Sequence, residues 1–247
     1  SVPLCASGTA ALGAAADLVR TGQATAVISA GYDALAPTPL SGLSVLRTIS
    51  DEMIRPFSAD RSGTIFGEGA AALLVEDLEH ARARGAEPLA EVLGWHENNN
   101  AYHLTAPDQG GAGMTRVILG AIADAGIEPS AVDYINAHGT GTPPHDPAEV
   151  QAIKAVLGAR AYQIPVSSIE AAVGHMMGAA GSAEAVATVL AMRDGIIPPT
   201  LNYNRPDPEC DLDHVPNAAR PGQVRLALSI SAGIGGNNSC VVLGMVR

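Results

Sequence analysis

Short runs of apolar and β-branched residues alternate along the chain with longer alanine-rich stretches, and this alternation constrains the fold most. Apolar runs of about four to eight residues favour strands, whereas alanine-rich stretches with helical periodicity favour helices. Strands are predicted at residues 24–30, 70–75, 89–94, 132–137, 163–167, 225–231 and 239–246, and helices at residues 7–20, 78–84, 113–125, 147–157 and 178–194. The alternation of the two predicts a layered α/β fold.

Composition narrows the class of protein further. The 247 residues are 47% hydrophobic, enough for a packed core, and the net charge of −11 disfavours a nucleic-acid partner. The apolar runs are shorter than a membrane span, and three cysteines at unrelated spacings form no disulfide framework. We therefore expect a cytoplasmic protein with neither a nucleic-acid nor a membrane partner. Residues 198–221, rich in proline, are predicted to be a long surface connection.

Cys5 is the first candidate functional residue. It stands in Cys5-Ala6-Ser7-Gly8, where small residues lead directly into the first predicted helix. A helix N-terminus favours the thiolate, which is the reactive form of cysteine. From this segment alone, a reactive thiol and a small buried side chain are both open interpretations. Cys210 and Cys240 lie in settings that predict ordinary buried side chains.

Two histidines lie in glycine-rich settings. His138 follows a predicted strand and enters a glycine-rich turn, a frequent position for a catalytic side chain. His175 comes just before a helix of small residues. Asp146 and Glu149 are three residues apart and share one face of a helix that starts there. The histidines without such a setting are predicted to lie on the surface; they are His80, His96, His145 and His214.

A glycine-rich turn, residues 233–236, joins the last two predicted strands. Such a turn lets the backbone approach a ligand closely and present N–H groups to it. Six segments occur in a fixed order along the chain. They are Cys5-Ala6-Ser7-Gly8, Arg55-Pro56-Phe57-Ser58-Ala59-Asp60-Arg61, Phe66-Gly67-Glu68-Gly69-Ala70, His138-Gly139-Thr140-Gly141-Thr142, Gly174-His175-Met176-Met177-Gly178-Ala179-Ala180-Gly181 and Gly233-Ile234-Gly235-Gly236. In order and spacing, these segments resemble the β-ketoacyl-acyl-carrier-protein synthases, which are thiolase-like condensing enzymes.

The resemblance extends over nearly the whole chain and implies a reaction. Cys5 would carry the growing acyl chain as a thioester, with the N–H groups of Cys5 and Ile234 forming an oxyanion hole. Malonyl-carrier protein would lose carbon dioxide, and His138 and His175 would stabilise the enolate that attacks the acyl group. The implied function is decarboxylative Claisen condensation in polyketide or fatty acid biosynthesis.

The resemblance also assigns supporting roles. Thr140 and Thr142 would bind the phosphopantetheine arm of an acyl carrier protein, which is a substrate carrier rather than a bound cofactor. Neither a metal nor a resident cofactor is implied. Glu68, Asp146 and Glu149 would support the site without touching substrate.

Two departures from the family pattern concern the site. Glu170 occupies the position of a family lysine that would meet Glu149, so we expect two like charges to lie close together there. Leu43, Ala232 and Ile234 stand where phenylalanines are common in the family. The phenylalanine at the position of Ile234 gates the acyl pocket in family members. Smaller residues predict a wider pocket that suits a bulky or polyunsaturated acyl chain.

The resemblance implies a thiolase-like α/β/α/β/α fold, of which residues 1–247 would form the latter part. Family members carry a first half before the cysteine, so we expect a complementary N-terminal ketosynthase chain and further pairing about a two-fold axis. Two other functions stay open. One is acyl transfer without decarboxylation, and the other is a non-catalytic chain-length partner subunit, although such subunits usually lack the cysteine that this chain keeps.

Overall fold

The computed structural model describes residues 4–246, which form seven α-helices and nine strands. The helices are α1 (Ser7–Arg20), α2 (Pro37–Ser44), α3 (Leu78–Ala83), α4 (Ala112–Asp124), α5 (His145–Leu157), α6 (Glu170–Val173) and α7 (Ala180–Asp194). The strands are β1 (Ala26–Asp33), β2 (Gly69–Glu76), β3 (Glu91–Asn99), β4 (Tyr134–Asn136), β5 (Val166–Ser167), β6 (Ile196–Ile197), β7 (Arg220–Pro221), β8 (Leu226–Gly233) and β9 (Asn237–Gly244).

Five strands form the central sheet in the order β3-β9-β8-β4-β5. The β3-β9-β8 part is antiparallel, and β8, β4 and β5 run parallel to one another. Nearly every residue of β8 and β9 is buried, because both faces of the sheet are covered. Full burial explains why these strands have uninterrupted runs of apolar and small residues rather than alternating polarity.

Helices cover the central sheet on both faces. Helices α4 and α5 pack on one face, and α1 and α7 pack on the other. A second, antiparallel sheet of β1 and β2 lies against α1 and α7. Helices α1 and α7 approach so closely that a Cβ at Gly8 would lie 2.3 Å from the Ser182 nitrogen. The described residues thus stack in four layers, and the predicted α/β class is confirmed.

The β1–β2 sheet carries apolar side chains that point away from the described residues. Ile28 is 74% exposed, Tyr32 81% and Leu74 54%. These exposures far exceed those of side chains in a core, and the three residues lie on adjacent strands. A continuous exposed apolar surface of this kind is typical of an interface.

The structure differs from the prediction in the proline-rich segments. The prediction of a surface connection at residues 198–221 is wrong in part, because Cys210, Leu212, His214 and Val215 are buried there. His214 stacks on Phe57 with ring centroids 4.0 Å apart, so its predicted surface position is also wrong. Helix α2 begins at Pro37, and the first turn of a helix tolerates a proline because its N–H groups need no partner within the helix. Within residues 4–246, every helix is too short or too polar to cross a bilayer.

Candidate active site

Cys5 lies in a 3₁₀ turn, Leu4–Ala6, that runs directly into α1. Leu4 has a φ of 49°, a left-handed conformation that costs energy for a leucine. Strained backbone of this kind is often found at functional sites. The Cys5 side chain is partly buried and lines a cavity of about 130 Å³ together with His175.

His138 follows β4, and hydrogen bonds to backbone N–H groups hold this part of the chain in place. The Glu149 carboxylate accepts hydrogen bonds from the N–H groups of His138, at 2.7 Å, and Gly139, at 2.9 Å. Gly139 has a φ of 43°, and a Cβ there would lie 2.5 Å from the Ser168 Cβ. Only glycine therefore fits the turn that directs His138 into the cavity. Glu149 therefore fixes the backbone of the turn that carries His138.

Asp146 holds the next part of the same turn. Its carboxylate accepts hydrogen bonds from the N–H groups of Phe57, at 2.7 Å, and Gly141, at 3.2 Å. Thr140 and Thr142 flank Gly141, have their hydroxyl oxygens 3.2 Å apart and line the cavity. Asp146 thus joins the turn to the Arg55-Pro56-Phe57-Ser58 segment, and burial raises its pKa to about 7. Burial likewise raises the pKa of Glu149 to about 8.

His175 is positioned through its backbone and its side chain. Its N–H donates to the Ile65 carbonyl at 2.8 Å, and its carbonyl accepts from the Gly67 N–H at 3.0 Å. The imidazole Nδ1 lies 2.9 Å from Oε1 of Glu170 and 3.0 Å from Oε2. This contact occupies Nδ1, which leaves Nε2 as the ring nitrogen available to other partners.

Our prediction that Glu170 faces Glu149 is wrong. Glu170 contacts His175, and the carboxylate close to it is Glu184 of α7, a residue that the sequence analysis missed. Ligand atoms of His138, Glu170 and Glu184 lie within 4.8 Å of one another, and all three side chains are buried. Such a spacing can also suit a metal ion, but Ser231 donates to Glu184 at 2.7 Å and His175 contacts Glu170. Hydrogen bonds therefore account for Glu170 and for one oxygen of Glu184, whereas Nδ1 of His138 and Oε1 of Glu184 have no hydrogen-bond partner among the described residues.

His145 is a second missed residue, and its predicted surface position is wrong. It lines the cavity at the start of α5, with its ring centroid 5.2 Å from that of His138 and its Nδ1 3.9 Å from Oε2 of Glu149. Burial lowers the pKa of His145 to about 3. The only signal in the sequence is the four-residue spacing between His145 and Glu149 on one helix face.

The two predicted catalytic histidines differ in their electrostatics. Their ring centroids lie 5.4 Å apart. Burial lowers the pKa of His138 to about 4. Burial also lowers the pKa of His175, but attraction by Glu170 and Cys5 outweighs this effect and raises the pKa well above its usual value. One ring is therefore neutral at neutral pH, while its neighbour favours the charged form.

The glycine-rich turn between β8 and β9 forms another wall of the cavity. Ile234, Ala232 and Leu43 all line it, so the three positions with smaller side chains meet at one place. The hydrogen bonds of the described residues give the Ile234 N–H no acceptor, whereas the Gly235 N–H donates to the Leu104 carbonyl at 2.7 Å. A free N–H at the cavity wall has the chemistry that an oxyanion hole needs.

Glu68 and the other two cysteines lie away from the cavity. Glu68 is exposed, and its carboxylate accepts a hydrogen bond from the Leu35 N–H at 3.1 Å. This bond supports the chain just before α2, the helix that contains Leu43. Cys210 and Cys240 are fully buried, as the sequence predicted. Burial raises the pKa of the Cys210 thiol to about 12 and also raises that of Cys240, so both thiols are unreactive in the folded protein.

A thiol beside a helix N-terminus, two imidazoles and a free backbone N–H at one apolar cavity define a site suited to nucleophilic acyl transfer. Comparison with known proteins agrees with this class. Residues 3–81 match the family described as "Beta-ketoacyl synthase, N-terminal domain", and residues 89–204 match "Beta-ketoacyl synthase, C-terminal domain". The chain belongs to the β-ketoacyl synthase family.

Among curated relatives, a 3-oxoacyl-[acyl-carrier-protein] synthase 2 of Synechocystis is 48% identical over 246 residues, covering 96% of this chain and 59% of the relative. The enzyme of the same name from Coxiella burnetii is 44% identical, covering 99% of this chain and 61% of the relative. The chain therefore spans about 60% of the length of these relatives.

Solved structures show the same fold. A ketosynthase in complex with its type II polyketide synthase acyl-carrier protein superposes with a TM-score of 0.98 at 38% identity, covering 100% of this chain and 62% of that one. The ishigamide ketosynthase/chain length factor gives a TM-score of 0.95 at 38% identity, covering 99% of this chain and 60% of that one. The predicted thiolase-like fold is confirmed by these neighbours.

Proposed function

We propose that the complete protein catalyses decarboxylative Claisen condensation. The Cys5 sulfur attacks an acyl thioester, the carrier thiol leaves, and the acyl group stays on Cys5. A malonyl thioester then loses carbon dioxide to form an enolate, which attacks the acyl carbon and expels the Cys5 sulfur. The product is a β-ketoacyl thioester two carbons longer. The observation that carries this proposal is the convergence of Cys5, His138 and His175 at one cavity.

Each remaining residue has a place in this reaction. The N–H groups of Cys5 and Ile234 bind the oxyanion of the tetrahedral intermediate. Thr140 and Thr142, at the cavity wall, hydrogen-bond the amides of the phosphopantetheine arm of an acyl carrier protein. Asp146 and Glu149 keep that wall in place through four backbone N–H groups. The reaction runs in the cytoplasm.

Radiolabelled substrates test the proposal directly. The complete protein is incubated with acyl-carrier protein and malonyl-carrier protein, each labelled in turn. We expect label on Cys5, release of carbon dioxide and a β-ketoacyl product. Transfer of the acyl label to a hydroxyl or amine without carbon dioxide release would instead show a non-decarboxylating acyltransferase. Failure to acylate Cys5 would show a non-catalytic partner subunit.

The exposed apolar face of β1 and β2 is the surface on which we expect another part of the family fold to pack. The remaining part of the family fold packs over Ile28, Tyr32 and Leu74 and buries them. We propose a complementary N-terminal ketosynthase chain as this partner, with the completed unit pairing again about a two-fold axis. The native mass of the protein isolated from its host, with the identity of any chain that accompanies it, tests both assemblies.

Filling the pocket should narrow the range of acyl chains that the enzyme accepts. The change is Ile234→Phe, alone and with Leu43→Phe, since both positions line the cavity. A larger side chain excludes long or bulky acyl groups, and discrimination in an apolar pocket typically reaches about 10–200-fold. We expect kcat/KM for loading a long acyl chain to fall by about that factor while acetyl loading changes little.

The matched control is Leu119→Phe on the exposed side of α4, which adds the same volume away from the cavity. It should leave both substrates unaffected. An equal loss for long and short chains in Ile234→Phe would contradict the assignment of this wall to the acyl pocket.

A further inference from the structure

The two histidines at the cavity have unequal access to a carboxylate. His175 Nδ1 lies within hydrogen-bond distance of both oxygens of Glu170, at 2.9 and 3.0 Å. His138 Nδ1 lies 3.7 Å from Oε1 of Glu184, and neither of these two buried atoms has a hydrogen-bond partner among the described residues. Only one imidazole therefore has a carboxylate bound directly to its ring.

This difference determines what each ring can donate. A neutral imidazole carries one N–H, so a neutral His175 that donates from Nδ1 to Glu170 has only a lone pair at Nε2. Such a ring cannot donate a hydrogen bond to a thioester oxygen in the cavity. A second proton on the ring gives it donors at both nitrogens. His138 has no such conflict, because its Nδ1 is unpartnered and its single proton is free to sit on Nε2.

The surroundings of His175 favour the second proton. Glu170 is 2% exposed, so the carboxylate and the imidazole face each other with little water between them. Attraction between opposite charges is strong in such a setting, and it acts against burial, which raises the pKa of Glu170 and lowers that of His175. The titratable groups that act on His175 come from the 3₁₀ turn, the loop after β4, α5, α6 and α7; they are Cys5, His138, His145, Glu170 and Glu184.

We propose that Glu170 is a positioning residue that holds His175 as a doubly protonated imidazolium, so that the two histidines bind the thioester oxygen as one charged and one neutral donor. The proposal rests on the condensation reaction proposed above. The proton stays on His175 throughout, and its Nε2–H hydrogen-bonds the oxygen that becomes the enolate oxygen. The positive charge that the family resemblance places on a lysine at position 170 is here carried by the neighbouring histidine ring. The raised pKa of His175, where Glu170 and Cys5 together outweigh the effect of burial, agrees with this arrangement.

Titration of the histidine rings by NMR tests the proposal without substrate. The complete protein is labelled with ¹⁵N-histidine, and the His175 signals are assigned by their loss in His175→Gln. In the unmodified protein we expect His175 to stay doubly protonated at pH 7 and His138 to stay neutral. In Glu170→Gln, removal of the charge at constant shape should lower the His175 titration midpoint by about one to three pH units. Glu170→Lys should lower it at least as far, and Glu170→Asp should restore much of the shift.

Two controls separate this effect from a general disturbance. Glu79→Gln removes an exposed charge on α3 and should leave the titration unchanged. Glu184→Gln removes a buried charge that does not touch the His175 ring and should lower the midpoint less than Glu170→Gln. The pH profile of malonyl decarboxylation should shift with the His175 titration in Glu170→Gln, because the charged donor is lost at a lower pH.

The outcomes for this inference and for the proposed function are distinct. A neutral His175 at pH 7 in the unmodified protein would overturn the inference, even where a Glu170 variant fails to fold. An unchanged midpoint in a folded Glu170→Gln protein would also overturn it, whether or not the enzyme condenses substrates. A lowered midpoint in a protein that shows no condensation would support the inference and refute the proposed function.

Discussion

Replacing Cys5 with alanine should abolish acyl loading and condensation. The variant loses the sulfur that forms the thioester, and no other described thiol lines the cavity. Removal of a catalytic nucleophile typically costs more than about 10⁴-fold in rate. The measurement is covalent transfer of a radiolabelled acyl group from its carrier protein, followed by mass analysis of the peptide that contains residue 5.

Decarboxylation provides a second readout for the same variant. Loss of carbon dioxide from a malonyl thioester needs donors to the enolate oxygen, not a thiol, so Cys5→Ala should keep it. The controls are Cys210→Ala and Cys240→Ala, which remove buried thiols away from the cavity. Both should load acyl groups as the unmodified protein does. Persistent labelling of Cys5→Ala on another residue would show that Cys5 is not the nucleophile.

Local patterns in the sequence predict those elements that local physics controls. Helix α1 was predicted at residues 7–20 and has these bounds, because an alanine-rich segment after a small-residue turn favours helix on its own. Strands β8 and β9 are predicted for a similar reason, because short apolar runs between turn residues favour buried strands over helices or loops. Helix α2 was missed because its prolines and glycine resemble a loop, and its first turn tolerates the proline.

Residues that reach the cavity from distant parts of the chain were harder to predict. Glu184 lies in the second turn of α7 among small residues, and nothing near it in the sequence indicates that Ser231 and His138 lie beside it. Glu170 was singled out by its departure from the family lysine, but its partner was assigned wrongly. Which acid faces position 170 depends on how α6 and α7 pack, and that packing is a property of the whole fold.

The resemblance to a family predicts some of the contacts between distant residues that local patterns do not. Cys5, His138, His175 and Ile234 are far apart in the sequence, yet the ordered motifs placed them in one site, and the structure brings them to one cavity. His145 lies outside those motifs, so they do not predict its place beside His138. A motif carries tertiary information only for the residues that it contains.

Replacing either histidine with alanine should block malonyl decarboxylation while leaving some acyl loading of Cys5. Each ring lies at the cavity and supplies one donor to the developing enolate oxygen in the proposed reaction. Loss of one such donor typically costs on the order of 10²–10³ in rate. The measurement is release of labelled carbon dioxide from malonyl-carrier protein, with acyl loading followed in parallel.

The two variants should differ in their secondary effects, and this difference makes the prediction sharper. His175→Ala leaves the buried Glu170 carboxylate without its partner, and an unpaired buried charge is strongly destabilising. We therefore expect His175→Ala to lower Tm more than His138→Ala, whose ring nitrogen Nδ1 is unpartnered. The double variant His175→Ala with Glu170→Ala should recover part of the lost stability without recovering decarboxylation. His80→Ala, which removes an exposed ring on α3, should change neither property. A folded His138→Ala or His175→Ala protein with an unchanged decarboxylation rate would remove that histidine from the mechanism.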